Sequence, residues 1–140
     1  GVLRIHAMFS PVIEIAGDGK TAKGVWDSFG PNVPDPDAIG GWLWLKYAVD
    51  FVREGGRWKI WHLQVYPVFN VPYDKSLTQN AREQEARLRA QPVQAPPPPA
   101  ASQLGYQSAP ADLWRYDGKS VPRGPYIPEP YCHFDPEKAY

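Results

Sequence analysis

The sequence contains little that would support a disulfide, a membrane anchor or a highly charged partner. Its single cysteine, Cys132, cannot form an internal disulfide. No apolar run approaches the roughly 20 residues that cross a bilayer, so we expect a cytoplasmic protein without a membrane partner. Fifteen basic and fifteen acidic side chains cancel without forming a basic stripe, which argues against nucleic acid as a partner. A small uncharged ligand fits this composition better.

The start of the chain is rich in strand-forming residues and predicts a β-hairpin. Residues 2–15 and 21–29 flank a Gly-Asp-Gly-Lys sequence at 17–20, which is typical of a hairpin turn. Pro11 predicts a bulge or an edge break within the first strand. The segment 30–40 carries three prolines, so we expect it to be a loop and not part of a central strand.

A second hairpin is apolar on both faces. It joins residues 41–54 to 57–69 through Gly55 and Gly56, and it completes a four-strand antiparallel meander. Aromatic residues occur at both parities, whereas a sheet with one wet face would alternate apolar and polar residues. The charged residues of one parity, among them Lys46 and Asp50, indicate the outer face. Alternation then predicts an inner face with Tyr47, His62, Gln64 and Tyr66, and an outer face with Trp42, Trp44, Trp61 and Leu63.

The second half of the chain predicts one helix and an extended arm. Residues 75–89 have a weak apolar stripe that Ser76 can cap. Residues 91–140 hold eleven of the seventeen prolines together with several aromatic residues, which favours an arm laid over this sheet or over a neighbouring subunit. A linker or a proline-rich peptide ligand is the alternative. The expected division is a sheet at 1–73, a helix at 74–90 and the arm at 91–140.

The two hairpins resemble part of a known family. The Gly-Asp-Gly turn, the Ala-x-Gly-x-Trp strand that ends at Trp26, and the run from Tyr47 to Ile60 are similar to the last four strands of the NTF2-like, SnoaL-like fold. The resemblance implies an α+β fold, a curved antiparallel sheet around a cone-shaped pocket. The family closes that cone with helices N-terminal to these strands, so we expect them to come from a preceding segment or from another polypeptide.

The resemblance also implies chemistry without a cofactor or a metal. Relatives include scytalone dehydratase, ketosteroid isomerase, polyketide cyclases and a diarylpropane lyase that releases formaldehyde. His6 occupies a position similar to the pocket histidine of scytalone dehydratase, and a histidine can move a proton near neutral pH. The candidate catalytic residues are His6, His62 and Tyr47, and the candidate substrate-binding residues are Trp26, Leu45, Trp58, Gln64 and Tyr66. For each histidine, a structural role in the core is the alternative.

Two classes of function follow. The favoured one is a cofactor-independent lyase, dehydratase or isomerase that acts on an aromatic or polycyclic small molecule, and the resemblance implies elimination or deformylation of a lignin-derived aromatic diol. The alternative is a non-catalytic module that binds a small molecule or mediates oligomerisation. In both cases we expect a homo-oligomer formed through the outer sheet face and the arm.

Overall fold

A computed structural model describes residues 1–90, Tyr116 and residues 124–140. Five strands form one curled antiparallel sheet, and one α-helix and one 3₁₀ turn follow it in the described part of the chain. The elements are β1 (Leu3–Arg4), β2 (Ala7–Ile15), β3 (Thr21–Val33), β4 (Gly41–Glu54), β5 (Arg57–Pro72), α1 (Leu77–Ala90) and the 3₁₀ turn (Pro136–Lys138).

The sheet is the predicted meander. β3 pairs with β4 and β4 with β5, while β1 and β2 both pair with β3 and so act as one interrupted edge strand. The predicted bulge at Pro11 is confirmed, because the β2–β3 register shifts between Phe9 and Val12. Ser10, next to this proline, has a positive φ of 51°.

The prediction that Pro31 lies in a loop was wrong. β3 continues to Val33, and Pro31 lies opposite Trp42 in a strand that has neighbours on both sides. Proline lacks only the backbone donor, and its carbonyl still accepts a hydrogen bond from the backbone N–H of Ile5 at 3.1 Å. The remaining prolines of this segment, Pro34 and Pro36, lie outside the strands.

Two bulges in β5 decide which side chains share a face. His62 lies opposite Asp50 but Ile60 lies opposite Phe51, so Trp61 is an extra residue; Val68 is extra in the same way further along β5. Because side chains alternate along a strand, each extra residue moves the following side chains to the other face of the sheet.

The sheet therefore has two faces, which differ from the predicted ones in β5. The Tyr47 face contains Ala22, Gly24, Trp26 and Ser28 of β3, Leu45, Tyr47, Val49 and Phe51 of β4, and Trp58, Ile60, Leu63 and Val65 of β5. The Asp50 face contains Lys23, Val25, Ala48, Asp50, His62, Gln64 and Tyr66. The prediction that His62, Gln64 and Tyr66 share a face with Tyr47 was wrong, and so was the outer position of Leu63. The bulge at Trp61 is the cause.

The described C-terminal segment, residues 124–140, lies on the Asp50 face of its own chain. The backbone N–H groups of Gly17 and Asp18 donate to the carbonyls of Tyr131 and Cys132 at 2.8 and 3.0 Å. Tyr140 packs against the core cluster of Val25, Ala48 and Tyr66. The outer-face prediction for Trp61 agrees with this, because its ring meets that of Phe134 at a centroid distance of 5.1 Å.

The helix and the remaining tail complete the chain. The Ser76 hydroxyl accepts from the backbone N–H of Gln79 at 3.1 Å, as expected of an N-cap, and the buried Asn80 amide donates to the carbonyl of Asn70 at 2.8 Å. Predictions for the arm between residues 91 and 123 lie outside the described residues except at Tyr116, so the division into sheet, helix and arm stays a prediction. None of the helices in the described ranges is both long and apolar enough to cross a bilayer.

Candidate functional site

His6 and Tyr47 form a hydrogen-bonded pair on the Tyr47 face. Nδ1 of His6 lies 2.6 Å from the hydroxyl oxygen of Tyr47, and the two residues are 41 positions apart in the chain. In the tautomer that carries the ring proton on Nδ1, His6 donates to the Tyr47 hydroxyl oxygen, and Nε2 is the ring nitrogen that can accept a proton. The His6 side chain is exposed and Tyr47 is half-buried, so the pair is accessible from this face.

The interruption between β1 and β2 places His6 over the sheet. Ile5 crosses β3 at Gly30, where an added Cβ would lie 1.9 Å from the Ile5 carbonyl oxygen. Only glycine permits this approach, and the Ile5 N–H bonds to the Pro31 carbonyl on the same strand. The backbone at Ile5 therefore lies directly against β3, and the side chain of the next residue, His6, contacts Tyr47 on β4.

Aromatic and aliphatic side chains share the Tyr47 face with the pair. Trp26 lies directly opposite Tyr47 in the β3–β4 register, and its ring folds back over Gly24, where an added Cβ would lie 2.4 Å from the indole. The Trp26 ring meets Phe51 edge to face at a centroid distance of 6.1 Å. Leu45 is buried at 7% exposure. These residues form an apolar wall on the face that also carries the polar His6–Tyr47 pair, a combination typical of small-molecule sites.

Trp58 shares this face but lies at its far end. It is opposite Arg53 in the hairpin, 41% exposed, with the guanidinium carbon 5.8 Å from its ring centre. Exposed apolar side chains lie on the same face around the site: Met8, Ile13, Ile15 and Ile60.

His62 belongs to a different, buried polar cluster on the Asp50 face. The Asp50 carboxylate is 2% exposed and accepts from the Lys23 ammonium at 2.8 Å and from the backbone N–H of Tyr140 at 2.8 Å. His62 Nδ1 lies 3.4 Å from Asp50 Oδ2, the oxygen that also accepts from Tyr140, and among the described residues this buried ring nitrogen has no hydrogen-bond partner.

Gln64 and Tyr66 also lie on the Asp50 face. The Tyr66 hydroxyl donates to the Gln64 side-chain oxygen at 3.0 Å. Burial, together with the Asp50 charge, raises the pKa of Tyr66, and the same two causes also raise the pKa of Tyr140. Both phenols therefore stay neutral near physiological pH.

The predicted site residues thus separate into two groups. His6, Tyr47, Trp26 and Leu45 come together, with Trp58 at the edge of their face, whereas His62, Gln64 and Tyr66 lie on the other side of the sheet. Within the ranges that the structure describes, no three His, Cys, Asp or Glu residues form a group that could hold a metal ion. Sequence reasoning missed Asp50 and Lys23 as a buried pair, although they lie on neighbouring predicted strands at matching parity.

Comparison with known families agrees with this architecture. The family model described as the SnoaL-like domain matches residues 1–64, and no curated protein matches the chain significantly. The curled antiparallel sheet and the helix fit the α+β cone of the NTF2-like fold. That superfamily comprises small-molecule binding proteins, isomerases and dehydratases. Residues 1–64 therefore belong to the SnoaL-like family of the NTF2-like superfamily.

Proposed function

We propose that the Tyr47 face carries a cofactor-independent acid–base site for an aromatic small molecule, acting as a lyase, dehydratase or isomerase. The observation that carries the proposal is the 2.6 Å contact between His6 Nδ1 and the Tyr47 hydroxyl, beside Trp26 and Leu45. A proton acceptor and a proton donor in contact, within an apolar wall, suit reactions that need one proton removed and another supplied.

The family resemblance suggests a diarylpropane diol as the substrate, and the pair can supply the two proton transfers that its cleavage needs. His6 removes the proton of the terminal hydroxyl, and the carbon–carbon bond to that carbon breaks to release formaldehyde. The electron pair of the broken bond forms a double bond between the two aryl-bearing carbons, as the second hydroxyl leaves as water with a proton supplied by Tyr47. The products are a stilbene, formaldehyde and water, so no oxidant or reductant is consumed.

The apolar residues have binding roles in this proposal. The Trp26 ring, held over Gly24 and against Phe51, provides a flat surface for one aryl group. Leu45 packs against the body of the substrate, whereas Trp58, opposite Arg53, is about 20 Å along the sheet from Tyr47 and does not contact the substrate. His62, Gln64 and Tyr66 have no role at this site, because they project from the opposite face.

The alternative is a non-catalytic module that binds a ligand or forms an oligomer. Trp42 and Trp61 are 42% and 57% exposed on the Asp50 side of the sheet, which favours a contact with a second copy there. This contact is compatible with an acid–base site on the Tyr47 face, so we propose a homo-oligomer in either case.

Turnover of a diarylpropane diol with two methoxyphenol rings tests the proposal in the full-length protein. We expect the wild type to release formaldehyde and stilbene in equal amounts. His6→Gln and Tyr47→Phe should each lower kcat by about 100-fold or more, because each removes one proton-transfer partner. His62→Gln is the matched control and should keep the wild-type rate. Wild-type rates in both site variants, or no product from the wild type, would contradict the proposal.

A further inference from the structure

A groove lies on the side of the sheet that the proposed acid–base site does not use. It has a volume of about 640 Å³ and separates the C-terminal segment from the Asp50 face. This volume is within the range of sites for small organic molecules. Its lining includes three sheet residues and three tyrosines of the C-terminal segment: Lys23, Gln64, Tyr66, Tyr126, Tyr131 and Tyr140.

Carboxylates outnumber lysines around the groove. Lys23 is paired with the buried Asp50 carboxylate at 2.8 Å, and the Lys138 ammonium lies 3.5 Å from Asp135. Glu129 is the other carboxylate of the lining. Two lysines and three carboxylates, counting the buried Asp50, are therefore close to the groove, and this excess of negative charge disfavours an anionic guest. An uncharged guest avoids this repulsion.

The hydroxyl groups of the lining determine which polar group the guest needs. Tyr131 donates its hydroxyl proton to the Thr21 hydroxyl at 3.3 Å, and Tyr140 donates to the carbonyl of Tyr126 at 2.9 Å. Burial raises the pKa of both phenols, so these protons remain on the tyrosines near neutral pH. A guest that meets these oxygens must supply the hydrogen itself, as a phenol or an alcohol does.

The outer wall favours an aromatic guest over a simple alcohol. Tyr126 is 78% exposed and Ile127 is 64% exposed, and prolines flank them at positions 125 and 128. The exposed ring of Tyr126 lies between apolar residues in the wall of the groove. A flat aromatic molecule can stack on this ring. We propose that this groove is a second binding site, on the opposite side of the sheet from His6 and Tyr47, for a small uncharged phenol.

The test is an NMR titration of the full-length protein with p-cresol and with its methyl ether, which has the same ring but no hydroxyl donor. We expect p-cresol to shift the amide signals of Tyr131, Cys132 and Tyr140 in a saturable manner. The methyl ether should bind at these signals about fivefold more weakly, because one neutral hydrogen bond is lost.

Two variants separate this site from the proposed acid–base site. Tyr126→Ala removes an exposed wall residue and should weaken p-cresol binding, read from the same amides, by about fivefold or more. Tyr47→Phe on the other face should leave this binding unchanged, whether or not the protein turns over a diol. Amide signals of the C-terminal segment that do not move, or an affinity there that Tyr126→Ala does not change, would overturn the proposal.

Discussion

Replacing Lys23 with methionine tests how the C-terminal segment is held on the sheet. The Lys23 ammonium is 2.8 Å from Asp50 Oδ1, donates to the carbonyl of Lys138, and lies 4.5 Å from the ring centre of Tyr140. The two charged side chains are only 11% and 2% exposed. Methionine keeps the length and the apolar stem but removes the charge, and it leaves the Asp50 carboxylate buried without its cation.

Breaking a buried ion pair from one side costs about 3–5 kcal/mol, mostly because the remaining charge stays desolvated. We expect the lower end of this range for Lys23→Met, about 3 kcal/mol, because Asp50 keeps the hydrogen bond from the Tyr140 N–H at 2.8 Å. Small domains are stable by about 5–15 kcal/mol in total, so this loss is large. The C-terminal segment should separate first, since two of the three groups that Lys23 contacts belong to it.

Urea unfolding followed by tryptophan fluorescence gives the free energy of each variant. Lys59→Met is the matched control, because its ion pair with Glu54 is 58% exposed on both sides and should contribute less than about 1 kcal/mol. The double variant Lys23→Met/Asp50→Leu removes both charges and should be more stable than either single variant. A cost below about 1 kcal/mol for Lys23→Met, or strictly additive effects in the double variant, would refute the reasoning.

Two further predictions concern the aromatic residues. Gly24→Ala should destabilise the fold by about 1–3 kcal/mol and shift the fluorescence of Trp26, because the new Cβ would lie 2.4 Å from the indole; thermal unfolding measures this, and an unchanged melting temperature would contradict it. Burial raises the pKa values of Tyr66 and Tyr131 in the folded protein. As the pH rises, the unfolded chain therefore loses these two phenolic protons before the folded protein does, near the ordinary tyrosine pKa of 10. The stability they contribute is complete below that pH and should fall as the pH rises above it, a fall that Tyr66→Phe should reduce; equal slopes for wild type and variant would count against this.

Much of the sheet could be predicted because its signals are local. The period of apolar residues and the glycine turns gave β4 its observed bounds, Gly41–Glu54, and the order of the strands. The bulge at Trp61 could not be predicted, because an aromatic residue fits either face of a sheet that is apolar on both. That single extra residue moved His62 away from Tyr47.

The candidate site depends on contacts between distant parts of the chain. His6 and Tyr47 were both candidates, yet their contact requires the close approach of Ile5 to Gly30, which no local pattern reveals. Asp50 was interpreted as a mark of the outer, wetted face, and the structure buries it. The reason is the C-terminal segment, whose Tyr140 covers this carboxylate from 90 residues away.

The central claim is that the sheet separates the two histidines, with His6 beside Tyr47 and His62 beside Asp50. Nuclear Overhauser effects between assigned ring protons test it most directly in the full-length protein. We expect effects between the His6 and Tyr47 rings, whose centres are 6.3 Å apart. Effects between the rings of His62 and Tyr47 would contradict it, since they would place both histidines on one face.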